Sequence, residues 1–205
     1  MGKHIVAVVG AYRSGKVIDT VVSQIAQGVE SEGGQMAIVH LRDRNVAFCT
    51  NCRSCTQTSP EAVRGECPTD DDMAAICDQL EAADAIVFAS PINFGTITAL
   101  MKRFVERLIC YAYWPWASKR PPRQRIKKRN KKALLVTSSA APALMAKYLM
   151  PGALRPMKLA AACLGAKVVD IVYVGMVPAE QDPTVPKRTT DRAYRAGATL
   201  ARQQA

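Results

Sequence analysis

The stretch from Ala85 to Thr98 is the sequence feature that most constrains the fold of this chain. Its first five residues are apolar, and a short apolar run that ends in turn residues is typical of a buried strand. A polar loop, Ser90 to Gly95, follows at once, and a helical repeat of apolar residues begins shortly after it. Strand, polar loop and helix in this order are typical of an open α/β sheet, which binds ligands at the carboxyl ends of its strands.

The rest of the chain repeats this alternation. Strands are predicted over residues 4–10, 35–41, 85–89, 133–139 and 166–175, and helices over 16–32, 70–82, 97–109, 144–165 and from about residue 190 onward. Alternating strands and helices predict a parallel sheet with right-handed crossovers and helices on both faces. Five such units fit a flavodoxin-like three-layer sandwich with strand order 2-1-3-4-5, in which the loops after strands 1 and 3 face each other across one crevice.

Length and composition predict one domain. The 205 residues contain 49% hydrophobic and 22% charged residues, as expected of a globular protein, and we see neither an internal repeat nor a linker, so residues 1–205 are expected to form a single domain. Apolar runs stay well short of the roughly 20 residues that a membrane helix needs. The first residues lack the cleavage pattern of a signal peptide, and we expect a cytoplasmic protein without a membrane partner.

The loop from Gly10 to Val17 lies between the first strand and the first helix. Free amides at a helix start, together with Arg13, Lys16 and the Ser14 hydroxyl, suit a phosphate group. The spacing also matches the G-x-x-x-x-G-K of nucleotide hydrolases, but Val17 stands where a Ser or Thr would hold magnesium. We therefore expect a phosphate-binding loop without nucleotide hydrolysis; a glycine turn with surface charges is the structural alternative.

These loops give the chain a family resemblance. Gly10 to Ile18, Asp71 to Met73 with the later Ala82 to Ala85, Ser90 to Gly95, and Lys102 to Arg107 together resemble the NAD(P)H-dependent FMN reductases of the flavodoxin-like superfamily, which include the iron-sulfur flavoproteins. The resemblance implies an FMN site formed by three segments of the chain. Its residues would be Arg13, Ser14, Lys16, Val17, Ile18, Pro91, Ile92, Asn93, Phe94, Gly95, Thr137, Ser138 and Ser139.

The resemblance also implies a chemistry. Such proteins pass hydride from NADH or NADPH to FMN and then reduce a small acceptor such as a flavin, a quinone or a nitro compound, and they assemble as homodimers or homotetramers. Because the cofactor carries out this chemistry, we expect no catalytic acid or base from the protein. The chain departs from the family pattern at Ala11 and Val17, where hydroxyl residues are usual, and Ser14 and Lys16 are the expected substitutes.

Four of the seven cysteines lie close together in one segment. The spacing Cys49-x2-Cys52-x2-Cys55-x11-Cys67-Pro68 suits a [4Fe-4S] cluster, a zinc ion, or free and redox-active thiols. The iron-sulfur flavoproteins have a similar run with a shorter last gap. A second functional hypothesis is therefore an electron carrier that holds FMN and a [4Fe-4S] cluster.

The net charge of +11 is concentrated in one segment. Residues 117–132, which we call the basic segment, contain nine Lys or Arg residues and no acid, and the aromatic run Tyr111 to Trp116 precedes them. Such a segment can be a solvated loop, a surface that attracts NAD(P)H or contacts another subunit, or a site for nucleic acid or an anionic membrane. We do not expect nucleic acid, but a non-catalytic binding protein that uses this segment is a third hypothesis.

Overall fold

A five-stranded parallel sheet forms the centre of the computed structural model, which describes residues 2–145, 152–177 and 184–202. The predicted strand order is confirmed, because the strands lie in the order β2-β1-β3-β4-β5 once they are numbered along the chain. Every neighbouring pair is parallel. The strands are β1 (His4–Val9), β2 (Gln35–His40), β3 (Ala85–Ala89), β4 (Lys131–Ser138) and β5 (Ala166–Val174).

Helices cover both faces of the sheet, as the alternation predicts. Side chains of successive strand residues point to opposite faces, so Val6 and Val8 pack in one core with α2, α3 and α4, whereas Ile5, Ala7 and Val9 pack in a second core with α1 and α5. The helices are α1 (Val17–Ser31), α2 (Met73–Ala82), α3 (Ala99–Arg107), α4 (Arg155–Cys163) and α5 (Lys187–Ala201).

Several helix boundaries differ from the predicted ones. The second helix begins at Met73, because Asp71 and Asp72 accept hydrogen bonds from the backbone of residues 45 and 47 instead of entering the helix. The third helix tightens into a 3-10 turn over Leu108–Tyr111, and the last helix begins at Lys187, three residues before the expected start. Part of the predicted helix 144–165 lies outside the described residues, and α4 accounts for its second half.

Two glycines allow α1 and α5 to pack with their backbones in contact. A Cβ atom on Gly28 would lie 2.0 Å from the carbonyl oxygen of Tyr194, and a Cβ on Gly197 would lie 2.1 Å from that of Ile25. Real Cβ atoms do not approach an oxygen this closely, so neither position has room for a side chain. The two helices therefore lie side by side in the helical layer that covers the second core.

Two small antiparallel hairpins lie outside the main sheet. Ile92–Asn93 pairs with Thr96–Ile97 in the loop after β3, and Ala112–Tyr113 pairs with Arg123–Gln124 between α3 and β4. The second pair ties the middle of the basic segment to the aromatic run. Within the described part of the chain, none of the helices has the length and apolar character needed to span a bilayer.

Candidate functional site

A cavity of about 340 Å³ opens at the carboxyl ends of β1, β3 and β4, and we call it the switch-point cavity. It lies where the strand order reverses, which is where open α/β sheets bind ligands. Residues from four separate segments line it, although they are far apart in sequence. They are Ala11, Tyr12, Arg13, Lys16, Val17, Ile18, Pro91, Ile92, Asn93, Ser138, Ser139, Ala140 and Val177.

The buried side chain of Thr98 ties the first two of these segments together. Its Oγ1 donates to the carbonyl of Gly10 over 2.6 Å and accepts a hydrogen bond from the amide of Met101, which caps α3. The amide of Thr98 in turn donates to Oγ of Ser90 over 3.1 Å. Gly10 has no room for a side chain, because a Cβ there would lie 2.6 Å from Cβ of Met101. The loops after β1 and β3 are thus held in contact by buried hydrogen bonds.

The first loop presents Arg13 and Lys16 to the cavity at the start of α1. The N-cap residue, Lys16, offers no side-chain hydrogen bond to the first turn, and free amides at a helix start favour an anion. The structure places the predicted residue Ser14 differently, since its hydroxyl accepts a hydrogen bond from Arg42 over 3.2 Å and does not line the cavity. Gly15 has a φ of +66° and donates its amide to Asp19.

The second loop contributes Pro91, Ile92 and Asn93 to the lining, but not the next two predicted residues. Phe94 and Gly95 form the turn of the hairpin, with φ angles of +49° and +80°. The Phe94 side chain is fully exposed. These two residues directly follow Asn93, so they lie next to the lining of the site without forming part of it.

The third segment follows β4. Ser138 and Ser139 line the cavity, whereas the predicted residue Thr137 lies fully buried behind them with no hydrogen-bond partner for its Oγ1 in the described structure. Sequence reasoning missed Tyr12, whose hydroxyl accepts a hydrogen bond from the amide of Ala99 over 3.1 Å. An aromatic residue inside the phosphate-binding loop was the signal that could have identified it. Ala11, Ala140 and Val177 were also missed, and they carry no such signal.

The lining of the switch-point cavity suits a ligand with two different ends. Arg13, Lys16 and the start of α1 can hold an anionic group, and the Pro91 to Asn93 segment offers apolar contacts with few charged atoms. The small residues Ser138, Ser139 and Ala140 leave room for such a ligand, and the two serines add polar groups to the lining. These features fit FMN, which combines a phosphate with a flat and partly apolar ring.

A second cavity, of about 210 Å³, is lined by all four cysteines of the Cys49 to Cys67 segment, and we call it the cysteine cavity. Although the thiols share this cavity, no three metal-binding side chains in the described ranges surround a single ion position. A zinc ion needs its ligands at about 2.3 Å from one centre. A [4Fe-4S] cluster instead takes one thiolate on each of four irons, and the four cysteines that line this cavity match that number and that chemistry.

A buried ion pair supports one wall of the cysteine cavity. Nη1 of Arg107 lies 2.6 Å from Oδ2 of Asp71, and both side chains are almost completely buried. Burial alone would favour the neutral acid, but hydrogen bonds from Arg107 and from the amides of Ala47 and Met73 outweigh it and lower the pKa of Asp71. Nη2 of Arg107 also donates to Sγ of Cys67 over 3.4 Å. This pair therefore links α2, α3 and the cysteine segment.

Arg53 supports another part of the wall of the cysteine cavity. Its guanidinium stacks on the rings of Trp114 and Trp116, with 3.6 Å and 4.4 Å from Cζ to the ring centroids. Nη2 also donates to the carbonyl of Trp114 over 2.8 Å. Arg53 and Trp114 both line the cavity, and their buried Nε and Nε1 groups have no hydrogen-bond partner in the described structure.

The thiols in this cavity differ in acidity. A hydrogen bond with the Ser54 side chain lowers the pKa of Cys52, which is exposed to solvent. Burial, together with the nearby Cys67, Cys49 and Cys52, raises the pKa of Cys55 to about 11. At neutral pH Cys55 is therefore a neutral thiol in the absence of a bound cation, because its thiolate lacks a compensating charge.

The basic segment packs against the cysteine segment. Arg125 donates to the backbone carbonyls of Cys55, Thr58 and Ser59. Together with Arg123 it also stacks over the ring of Tyr113. The aromatic faces that could stack on nucleic-acid bases are thus partly covered by the chain's own arginines. None of the nine cations of this segment forms an ion pair with a described carboxylate.

Comparison with known sequences identifies relatives of the chain. The model of a family described as NADPH-dependent FMN reductase matches residues 4–176. An iron-sulfur flavoprotein of Archaeoglobus fulgidus is 30% identical over 100 residues, which are 49% of this chain and 41% of that relative. One from Methanosarcina thermophila is 26% identical over 105 residues, 51% of this chain and 52% of that relative. The matches thus span about half or less of these relatives' length.

Solved structures share the fold at low sequence identity. An NAD(P)H:quinone oxidoreductase from Methanothermobacter marburgensis has a TM-score of 0.73 and 18% identity, and the match covers 98% of this chain and 100% of that one. An FMN-dependent NADH-azoreductase from Bacillus anthracis in complex with FMN has a TM-score of 0.71 and 13% identity, with the same coverage. At such identities the likeness concerns the fold.

Proposed function

Because the chain belongs to the NADPH-dependent FMN reductase family, we propose that it is an FMN-dependent NAD(P)H oxidoreductase. The observation that carries this proposal is the switch-point cavity, which joins the cationic Arg13 and Lys16 to the Pro91 to Asn93 loop. One cavity thereby offers both an anion site and a surface for a flat ring. The whole of residues 1–205 would act as a single FMN-binding domain.

The lining residues divide the work of binding FMN. Arg13, Lys16 and the first amides of α1, at Val17 and Ile18, would hold the phosphate, because charge-assisted hydrogen bonds are the strongest contacts available to it. Pro91 to Asn93 would lie along the ring, with Ser138 and Ser139 as hydrogen-bonding partners. When bound, FMN supplies a ring that accepts hydride from a nicotinamide and passes electrons onward.

Four of the residues expected at the FMN site would act indirectly. Ser14 would brace the phosphate loop through Arg42, and Thr137 would support the serines that follow it. Phe94 and Gly95 would shape the rim, where the exposed Phe94 ring is placed to meet the co-substrate, the acceptor or a second subunit. We therefore assign direct contact with FMN to the lining residues alone.

For the electron acceptor we propose a small molecule such as a flavin, a quinone or a nitro compound. Two structural neighbours are named as a quinone oxidoreductase and an azoreductase. In this chain the exposed Phe94 directly follows Asn93, which lines the cavity. The family resemblance implies a homodimer or homotetramer. We propose that the exposed Phe94 turn contacts the neighbouring subunit in such an assembly.

Spectroscopy of the purified protein tests this function. We expect a flavin absorption spectrum, either as isolated or after addition of FMN, that bleaches under NADH or NADPH without oxygen and returns on addition of a quinone. A protein that stays colourless and takes up no FMN in a fluorescence titration would refute the proposal. Steady-state rates with NADH and NADPH over a panel of flavins, quinones and nitro compounds would identify the substrates.

A second candidate function is electron transfer through FMN and a [4Fe-4S] cluster. Its support is the placement of Cys49, Cys52, Cys55 and Cys67 around one cavity, and relatives of the chain are named iron-sulfur flavoproteins. These four thiolates would hold the cluster. Anaerobic purification or reconstitution should then give a brown protein with four irons per chain, and a preparation that takes up no iron would exclude this candidate.

A further inference from the structure

The wall of the cysteine cavity contains N–H groups that lack an acceptor. Nε of Arg53 and Nε1 of Trp114 are both buried without a hydrogen-bond partner in the described structure, although both residues line the cavity. A buried donor without a partner destabilises the folded protein. Two such donors beside one cavity indicate that an acceptor belongs there.

The backbone at Arg53 holds this donor in place at an energetic cost. Arg53 has a φ of +61°. A left-handed conformation is unfavourable in a residue other than glycine and persists where the surroundings over-determine it. Stacking on Trp114 and Trp116 and the hydrogen bond to the carbonyl of Trp114 supply that constraint. The side chain is therefore far more fixed than an exposed arginine.

The charge of Arg53 is also uncompensated. Arg107, on the other wall, is neutralised by Asp71 at 2.6 Å, whereas no described carboxylate forms an ion pair with Arg53, whose contacts are two indole rings and a carbonyl. An anionic occupant would balance this charge and accept from both free donors.

We propose that Arg53, assisted by the indole N–H of Trp114, is the positioning residue for an anionic metal-thiolate group in the cysteine cavity and raises the reduction potential of that group. This inference rests on the second candidate function. Under the second candidate function, one electron from the reduced flavin would make the group more negative by one charge, with no bond made or broken in the protein. A fixed cation and N–H donors stabilise the more negative state, so the potential rises.

Variants at Arg53 and Arg125 test this proposal in the full chain. Arg53→Gln removes the charge, and Arg53→Lys keeps the charge but loses the Nε donor and the planar stacking. Arg125→Gln is the matched control, because Arg125 also ties the basic segment to the cysteine segment but does not line the cavity. Each protein is reconstituted anaerobically with iron and sulfide, its iron is counted, and its midpoint potential is measured by an EPR-monitored redox titration.

We expect Arg53→Gln to shift the reduction equilibrium at least tenfold toward the oxidised form, which is 59 mV for a one-electron couple. Arg53→Lys should give an intermediate shift, and Arg125→Gln should leave the potential within the error of the titration. If Arg53→Gln loses iron while an Arg125→Gln protein of equal thermal stability retains it, the positioning role is supported. The effect on the reduction potential is then measured by comparing Arg53→Lys with the wild type.

Two results would overturn the inference, and they are distinguishable. If the wild-type chain takes up no iron, the second candidate function fails together with this proposal. If the wild-type chain binds the cluster but Arg53→Gln and Arg53→Lys keep its potential, the cluster assignment stands and only the role of Arg53 is refuted. Unfolding midpoints of all variants, followed by tryptophan fluorescence, separate a purely structural role from the one proposed.

Discussion

The two cavities of this protein are built in different ways. The switch-point cavity lies where the strand order reverses, and short backbone contacts and small buried hydroxyls such as Thr98 hold its walls. The cysteine cavity lies in an irregular segment, and long side chains hold it through one buried ion pair and one arginine stacked on indoles. The first cavity follows from the topology of the sheet, whereas the second depends on a few individual side chains.

The strongest test of this contrast is Asp71→Asn. It leaves the buried charge of Arg107 without a partner, which typically destabilises a protein by about 3–5 kcal/mol. Urea denaturation should show this loss in the free energy of unfolding. Asp78→Asn is the control, because Asp78 also pairs with an arginine but is largely exposed, and we expect a change below about 1 kcal/mol there. Equal effects at both positions would contradict the contrast.

The same pair predicts a dependence of stability on pH. The folded state lowers the pKa of Asp71, so its contribution is complete above about pH 4, the ordinary pKa of an aspartate. That contribution is lost as the pH falls toward the lower, folded-state value. The difference in unfolding free energy between wild type and Asp71→Asn should therefore shrink below pH 4. A difference that grows on acidification would refute this assignment.

Arg13→Ala tests the switch-point cavity and should affect binding rather than folding. Loss of one charge-assisted hydrogen bond to the phosphate corresponds to about 1.5–3 kcal/mol, or roughly a tenfold to hundredfold weaker FMN affinity. Fluorescence titration should show the loss for FMN but not for riboflavin, which lacks the phosphate. Arg129→Ala, in the basic segment, is the matched control. Unchanged FMN affinity in Arg13→Ala would place the phosphate elsewhere.

Thr98→Val should have a smaller effect, on stability and binding together. It removes the cap of α3 and the hydrogen bond to Gly10, and loss of a helix cap typically costs about 0.5–2 kcal/mol. Because the backbone contacts between the loops remain, FMN should still bind with somewhat lower affinity. Thr98→Ser keeps the hydroxyl and should behave as wild type; a Val variant that abolishes FMN binding would show that the topology alone does not maintain this cavity.

The smallest effect is expected from Lys127→Gln combined with Lys128→Gln, since these exposed cations belong to neither cavity. Surface changes of this kind usually alter stability by less than about 0.5 kcal/mol, and thermal unfolding should confirm it. If the basic segment attracts NAD(P)H, KM for the nicotinamide should rise at low ionic strength only. A salt-independent change in KM would instead indicate direct contact.

The sequence was sufficient to predict the parts that depend on periodicity. Strand order and the two facing loops follow from alternating segments and turn residues, and the family resemblance implied nine of the residues that line the switch-point cavity. The hydroxyl of Ser14 in the loop before α1 suits a phosphate, but nothing in the local sequence predicts its hydrogen bond with Arg42, which lies 28 positions away. The contacts of Arg53 with Trp114 and of Arg107 with Asp71 span 61 and 36 positions. Such side-chain pairs depend on how loops pack, which no local pattern encodes.

The glycine contact between α1 and α5 bears on the order in which the protein can fold during synthesis. The apolar face of α1 includes Val21, Val22 and Ile25, and part of its cover comes from residues 187–201. While a ribosome is still making that last helix, β1, α1 and β2 can already exist, but one side of α1 stays open to water and to other nascent chains. Domains fold as units, and this one completes its second core only after its fifth helix has emerged.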